Sequence, residues 1–364
     1  MYRPTLVRRS AVWLVLLVTL VVLTLGACGS SSGGEGGGEA AEKKPNPESP
    51  IASEPGWLAY QYQTDPDDFF SIKVHLVRVD GSKDHEIATN LPGAIRHPDF
   101  SRDGSRLAFD QLTSEESSDQ IYVAKADGSN AKRISDCKLP RCASNWEPAW
   151  SPAPDNSHIA ISTGAGPISE TGPWPGPARF GIAIVDVDSG KVNQIVENEN
   201  AVGQNRFPRW SADGKRLVFY RARAKSAGTI QTAVFIVNAD GSELRQLTPW
   251  NMLAGDPDWS PKGDHIVFST HPLREFETSE RSELYTMRPD GSEIKALTNN
   301  GENGPRATEP RWTPDGKAIL YTRENQAGTR RSIWVIDRKG GTDVPVLTKE
   351  PNYYTHPVLQ PGSQ

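Results

Sequence analysis

A short phrase recurs along this chain of 364 residues, and it comes back about every fifty positions. In its fullest form it reads Glu309-Pro310-Arg311-Trp312-Thr313-Pro314-Asp315-Gly316, followed by the apolar run Ala318-Ile319-Leu320-Tyr321. Its relatives are His97-Pro98-Asp99-Phe100-Ser101-Arg102-Asp103-Gly104, Glu147-Pro148-Ala149-Trp150-Ser151-Pro152, Phe207-Pro208-Arg209-Trp210-Ser211-Ala212-Asp213-Gly214 and Asp256-Pro257-Asp258-Trp259-Ser260-Pro261-Lys262-Gly263. An apolar run follows each of them, such as Leu217-Val218-Phe219. A second half follows in turn, with runs such as Val234-Phe235-Ile236-Val237, a turn such as Asp240-Gly241, and a closing Leu247-Thr248. Tight Asp-Gly turns join adjacent antiparallel strands, because Gly takes the positive φ they need and Asp tolerates the place before it. Each unit therefore reads as four antiparallel strands. A fixed period of this length marks a repeat array whose units bury their faces only by stacking on neighbours.

The two ends of the array complement each other. Gly56-Trp57-Leu58-Ala59-Tyr60 reads as the second strand of a unit that lacks its first. Thr355-His356-Pro357-Val358-Leu359 reads as a first strand with no second. The expected fold is all-β. It is a six-bladed β-propeller of four-stranded antiparallel blades over residues 54–364, with the ring closed by the C-terminal strand joining the N-terminal blade. The aromatic residue of each first strand is expected to pack between blades, where a large ring buries roughly 150–250 Å².

The phrase Pro-x-Trp-Ser-Pro-Asp-Gly, with its apolar strand and the later Asp-Gly-Ser…Leu-Thr, resembles the PD40 (WD40-like) repeat of TolB-type propellers. The resemblance covers about Trp57 to Gln360. It implies protein or peptide partners bound at the mouth of the axial channel. TolB proteins carry an α/β domain before the propeller. Here a polar stalk stands in that place, so a TolB-like propeller is expected rather than TolB itself.

The first 27 residues read as a signal peptide. Arg3, Arg8 and Arg9 precede the apolar stretch Ala11–Leu25, which is too short for a lasting membrane span. Leu25-Gly26-Ala27-Cys28 resembles the bacterial lipobox, which implies cleavage before Cys28 and lipidation of its sulfur. The alternative is an ordinary secretory signal with an incidental cysteine. Residues 28–53 are rich in Gly, Ser, Glu, Lys and Pro and are expected to be a disordered linker. Such a stalk averages roughly 25–30 Å between its ends. Its Gly29-Ser30-Ser31-Ser32-Gly33 matches the nucleophile elbow only in letters, since no strand precedes it and no helix follows. Cys137 and Cys142 are expected to form a disulfide outside the cytoplasm; a free pair and half of a metal site are the alternatives. Without the three arginines the formal charge moves from −5 to −8, which gives no electrostatic footprint for nucleic acid.

The turns within each unit are short on one face of the array, while the loops on the other are long and varied. Long loops on a rigid scaffold are where binding concentrates. The residues just before the repeated prolines should ring the channel at that long-loop mouth. His97, Glu147, Asp256, Glu309 and His356 are the binding candidates there, with Phe207 in the same register. Acids and histidines in one ring suit a cation or a cationic group, or they form a solvated rim. Trp174, between Pro173 and Pro175 in the longest loop, is a second candidate. Arg221, Arg223 and Lys225 beside Arg330 and Arg331 form a basic patch if their loops approach. No P-loop, CxxC or H-E-x-x-H motif occurs. No catalytic residue and no cofactor is predicted, and a divalent cation in the channel is left open. The expected function is a membrane-anchored extracytoplasmic lipoprotein, in the periplasm or at the cell surface, whose propeller binds a protein or peptide without catalysing a reaction. The alternative is a metal-dependent carbohydrate-active hydrolase or lyase, or a small-ligand sensor, working from the channel mouth.

Overall fold

The computed structural model describes residues 50–51, 56–113, 119–135, 144–152, 156–165, 179–197, 204–226, 229–270, 281–301, 304–349 and 353–362. The signal peptide, Cys28, most of the linker, Cys137, Cys142 and Trp174 lie outside the described residues. Among the described residues strands dominate, with two short 3₁₀ turns at Phe69–Ser71 and Trp250–Met252. The first strands are β1 (Trp57–Gln63), β2 (Ile72–Arg78) and β3 (His85–Glu86), paired antiparallel in that order. Then β4 (Ala94–Phe100), β5 (Arg106–Leu112), β6 (Asp119–Lys125) and β7 (Lys132–Arg133) form a sheet in chain order. Next come β8 (Ser144–Trp150), β9 (His158–Ala165), β10 (Arg179–Asp186) and β11 (Val192–Val196). They are followed by β12 (Gln204–Trp210), β13 (Arg216–Ser226), β14 (Thr229–Asn238) and β15 (Arg245–Gln246). Two more sheets run in chain order: β16 (Ala254–Trp259), β17 (Ile266–Thr270), β18 (Leu284–Met287) and β19 (Lys295–Ala296), then β20 (Arg306–Trp312), β21 (Ala318–Glu324), β22 (Arg331–Asp337) and β23 (Val344–Leu347). The last strand, β24 (Tyr354–Leu359), returns to pair antiparallel with β1.

The expectation of six separate four-stranded blades needs correction. Four sheets have that form, but β8 to β15 make one eight-stranded sheet. The join is a single parallel pairing of Phe180 in β10 with Gln204 in β12. The buried Asn205 amide fastens it by donating to the Phe180 carbonyl at 3.0 Å.

The turn chemistry follows the repeated phrase. In β20–β21 the Thr313 hydroxyl donates to Asp315 at 2.7 Å and accepts from the Ala318 amide at 3.1 Å. The Ser101 and Ser211 hydroxyls do the same in their own turns. The turn is thus closed by a side chain as well as by Gly316, whose φ is +69°. The Leu-Thr endings have a similar local reason. The Thr248 and Thr298 hydroxyls accept the amides of Val234 within β14 and of Leu284 at the start of β18, both at 2.9 Å.

The core lies between neighbouring sheets and between the two halves of the eight-stranded one. Leu217, Phe219 and Phe235 pack on Ala160, Ile182 and Ile184. Trp259 and Phe268 pack on Val218 and Val234. Trp312 and Tyr321 pack on Val267 and Leu284. Leu320, Ile333 and Val335 meet Leu58, Tyr60 and Tyr354. Trp150, Trp259 and Trp312 are all buried, as the repeat implied. Burying one such side chain contributes roughly 1.5–3 kcal/mol.

Candidate functional site

Every first strand breaks its register at the residue before proline. The antiparallel ladders slip between Arg96 and Asp99, Trp146 and Ala149, Arg206 and Arg209, Gly255 and Asp258, and Thr308 and Arg311. At each slip a non-glycine residue has left-handed backbone: His97, Glu147, Phe207, Asp256 and Glu309, with φ between +46° and +56°. His356 in β24 has it too, at +51°. A bulge bends the strand and re-aims one side chain. A non-glycine residue held there costs about 1–3 kcal/mol and persists only where its surroundings over-determine it. Asp and His tolerate the conformation better than Glu or Phe do.

Side chains from earlier strands hold four of the bulges by accepting their amides. Gln61 Oε1 takes the amide of His97 at 2.6 Å, and Asp110 Oδ1 that of Glu147 at 3.2 Å. Glu147 Oε2 takes that of Phe207 at 2.8 Å, and Glu309 Oε2 that of His356 at 3.1 Å. The re-aimed side chains of His97, Phe207, Asp256, Glu309 and His356 line one pocket of about 20 Å³ with Arg209 and Arg311. Three of them touch as rings. His97 and His356 meet edge to face with centroids 4.7 Å apart, and Phe207 stacks on His356 at 5.7 Å.

Glu147 does not share this placement. It is wholly buried and absent from the pocket wall. Arg206 Nε donates to it at 2.8 Å and the Ser162 hydroxyl at 2.6 Å. Burial would raise its carboxyl, but Arg206 and His97 hold it below the usual carboxylate range. It is a clamp for the next bulge rather than a binding group. Beside it, His97 Nδ1 lies 2.6 Å from Asp110, and Arg96 bonds both Asp110 and Asp119. Burial favours neutral Asp110 too, yet His97 and Arg96 keep it well below the usual range. Asp119 goes the other way, because burial outweighs Arg96 and pushes it well above.

The floor of the pocket went unnoticed in the sequence. Two residues that stand between a repeated proline and its aromatic partner, Arg209 and Arg311, complete the pocket wall. Arg311 pairs with Asp99 and stands 3.7 Å from Asp258, and Arg209 is 4.0 Å from Asp258. Asp99 and Asp258 also accept the amides of Trp150 and Trp312 at 2.8 Å. Burial raises Asp258 despite both arginines. Burial and the neighbouring Arg311 lower Arg209 to about 10. Burial alone would lower Arg311 as well, but Asp99 and Asp258 reverse this and leave it raised. The available signal was variability: the position reads Asp, Ala, Arg, Asp and Arg while the residues around it repeat.

The other sequence candidates fall elsewhere. Arg221 and Arg223 lie over the rings of Phe235 and Trp250, while Arg331 bonds Glu324. Among the described residues, no group of three His, Cys, Asp or Glu side chains comes together to hold a metal ion.

No family model matches the chain. An uncharacterized protein of Agrobacterium fabrum is 29% identical over 148 residues, 40% of this chain and 47% of that protein. The Tol-Pal system protein TolB of Francisella tularensis subsp. mediasiatica is 26% identical over 186 residues, 47% of this chain and 38% of that protein. The chain thus spans less than half the length of these curated relatives. Among solved structures, TolB from Acinetobacter baumannii superposes with a TM-score of 0.60 at 16% identity, over 84% of this chain and 67% of that one. The repeat, the antiparallel sheets and these likenesses agree that the chain carries a TolB-like β-propeller.

Proposed function

We propose that this chain is a non-enzymatic protein- or peptide-binding module that works outside the cytoplasm, held to a membrane by lipid on Cys28. The eight-stranded sheet counts as two blades bridged at Phe180 and Gln204, and β24 completes the blade of β1. The working fold is then a closed ring of six PD40-type blades. The packing of β21 and β22 residues on β1 and β24 supports that closure. The relative TolB is by name a component of the Tol-Pal system. A similar partner-binding role suits a propeller whose variable residues gather at one mouth.

The observation that carries this reading is the convergence of bulge residues. Strands from separate sheets hold His97, Phe207, Asp256, Glu309 and His356 in strained backbone, and all five side chains reach one pocket. Strain kept at one place in repeat after repeat is expected where a ligand is clamped. A photocrosslinking amino acid at position 207, with a control at Ser242 on a tight turn, tests it in intact cells. A discrete membrane-fraction adduct from 207 and none from 242 is the expected result, and Cys28→Ser should release the protein from that fraction. Equal labelling at both positions, or none at 207, would remove the reading.

A further inference from the structure

Between β1 and β2 the chain reads Asp65-Pro66-Asp67-Asp68-Phe69-Phe70-Ser71, with three carboxylates, two rings and no lysine or arginine. The segment is fixed by its own bonds. The Ser71 hydroxyl accepts the amide of Asp65 at 3.0 Å, Asp65 Oδ1 that of Asp67 at 3.0 Å, and Asp68 Oδ1 that of Phe70 at 2.9 Å. On this frame Phe69 is 47% exposed and Phe70 38%, and the rings meet edge to face with centroids 6.2 Å apart. Among the described residues no other phenylalanine, tyrosine or tryptophan is as open to water. The back of Phe69 lies over the Arg96 guanidinium at 5.1 Å, and the next residue, His97, lines the mouth pocket. The ring pair therefore borders the mouth. The cations of the adjoining strands are engaged elsewhere: Arg96 bonds Asp110 and Asp119, and Lys73 donates to the Gly93 carbonyl. Asp65 and Asp68 take only backbone amides, and among the described residues none of the three carboxylates is paired with a cation.

We propose that Phe69 and Phe70 anchor this module on its protein partner, which offers an apolar cleft rimmed by lysine or arginine. This deepens the protein-binding reading of the mouth and rests on it. Apolar patches rimmed by polar residues mark interaction sites, and rigid aromatic side chains dominate the energetics of such contacts. Asp65, Asp67 and Asp68 meet the basic rim and set the orientation of docking. A phospholipid surface is disfavoured, because its negative potential meets three carboxylates beside the rings.

Three fluorescent peptides added to the purified full chain test this by anisotropy: leucine alternating with lysine, leucine alternating with glutamate, and serine alternating with lysine. The first should bind saturably and the other two should not. Raising salt from about 0.1 M to about 1 M shortens the screening length from about 10 Å to about 3 Å and should weaken it. Phe70→Ser should weaken binding about tenfold, and it leaves Phe69 over Arg96 in place. Asp67→Asn removes a carboxylate that closes no turn and should weaken binding about two- to fivefold. No binding of the leucine-lysine peptide, equal binding of either control, or full affinity in both variants overturns the proposal. So does binding of the Cys28→Ser chain to phosphatidylcholine vesicles that Phe70→Ser abolishes, which would assign the rings to a membrane. In cells, Phe70→Ser should remove most of the adduct formed from position 207. An adduct left unchanged by Phe70→Ser removes the anchor and keeps the mouth, whereas no adduct from 207 in the parent chain removes the mouth reading and the anchor with it.

Discussion

Glu147 and Glu309 hold the same place in their repeats, but only one of them faces the pocket. Arg206 makes the difference, because its partly exposed guanidinium pairs with Glu147 and holds that carboxylate in a wholly buried place. The carboxyl of Glu147 is held below its ordinary value of 4.5. Its contribution to stability is therefore full above that value and is lost as pH falls through the lowered one. Glu147→Gln should cost about 2–3 kcal/mol near neutral pH, since it strands a partly buried arginine. The gap from wild type should narrow below pH 4.5, and chemical denaturation across pH 3–7 reads it directly. A gap that stays constant down to pH 3 would mean that the ion pair does not set the stability. A one-letter match between two glutamates carries no information about this, because the deciding arginine lies 59 residues away.

At the scale of strands and turns, the repeat was legible almost residue by residue. Asp315-Gly316 and Thr313 do local work with partners a few positions away, and the closing Leu-Thr pairs bond 14 residues back within their own repeat. Gly316 has φ +69°, and a Cβ there would meet Pro261 at an ordinary 3.4 Å. Gly316→Val should therefore cost on the order of 1–3 kcal/mol, from backbone strain rather than crowding. Gly291 differs: its φ is +88° and a Cβ would come within 2.9 Å of the Leu247 carbonyl of the neighbouring sheet. Gly291→Ala should lower the melting temperature more than Gly316→Ala does. Equal losses would show that the approach of the sheets relaxes freely. The bulges were the opposite case. The pre-proline position was recognised as a ring, but its left-handed backbone was not. A residue before proline is ordinarily extended, and acceptors on another strand, Gln61 or Asp110, are needed to hold it otherwise.

At the scale of the whole molecule, one ion network ties distant repeats together. Arg311 in β20 reaches Asp99 in β4, 212 residues earlier. Removing the arginine leaves buried Asp99 without its ion-pair partner and Asp258 with Arg209 alone, so Arg311→Met should cost about 3–5 kcal/mol. Asp99→Asn in the same chain should recover part of that loss, and a double-mutant cycle in urea measures it. Strictly additive effects would show that the two residues do not interact. By itself the sequence determined the strand order within each repeat, the tight turns and the burial of Trp150, Trp259 and Trp312. Each of these rests on periodic burial and on turn chemistry within a few residues. Tertiary structure decided that Glu147 turns inward, that Arg209 and Arg311 form a floor, and that β8 to β15 share one sheet. These depend on which side chains meet across sheets, and charges desolvated together over hundreds of residues leave no local pattern in the chain.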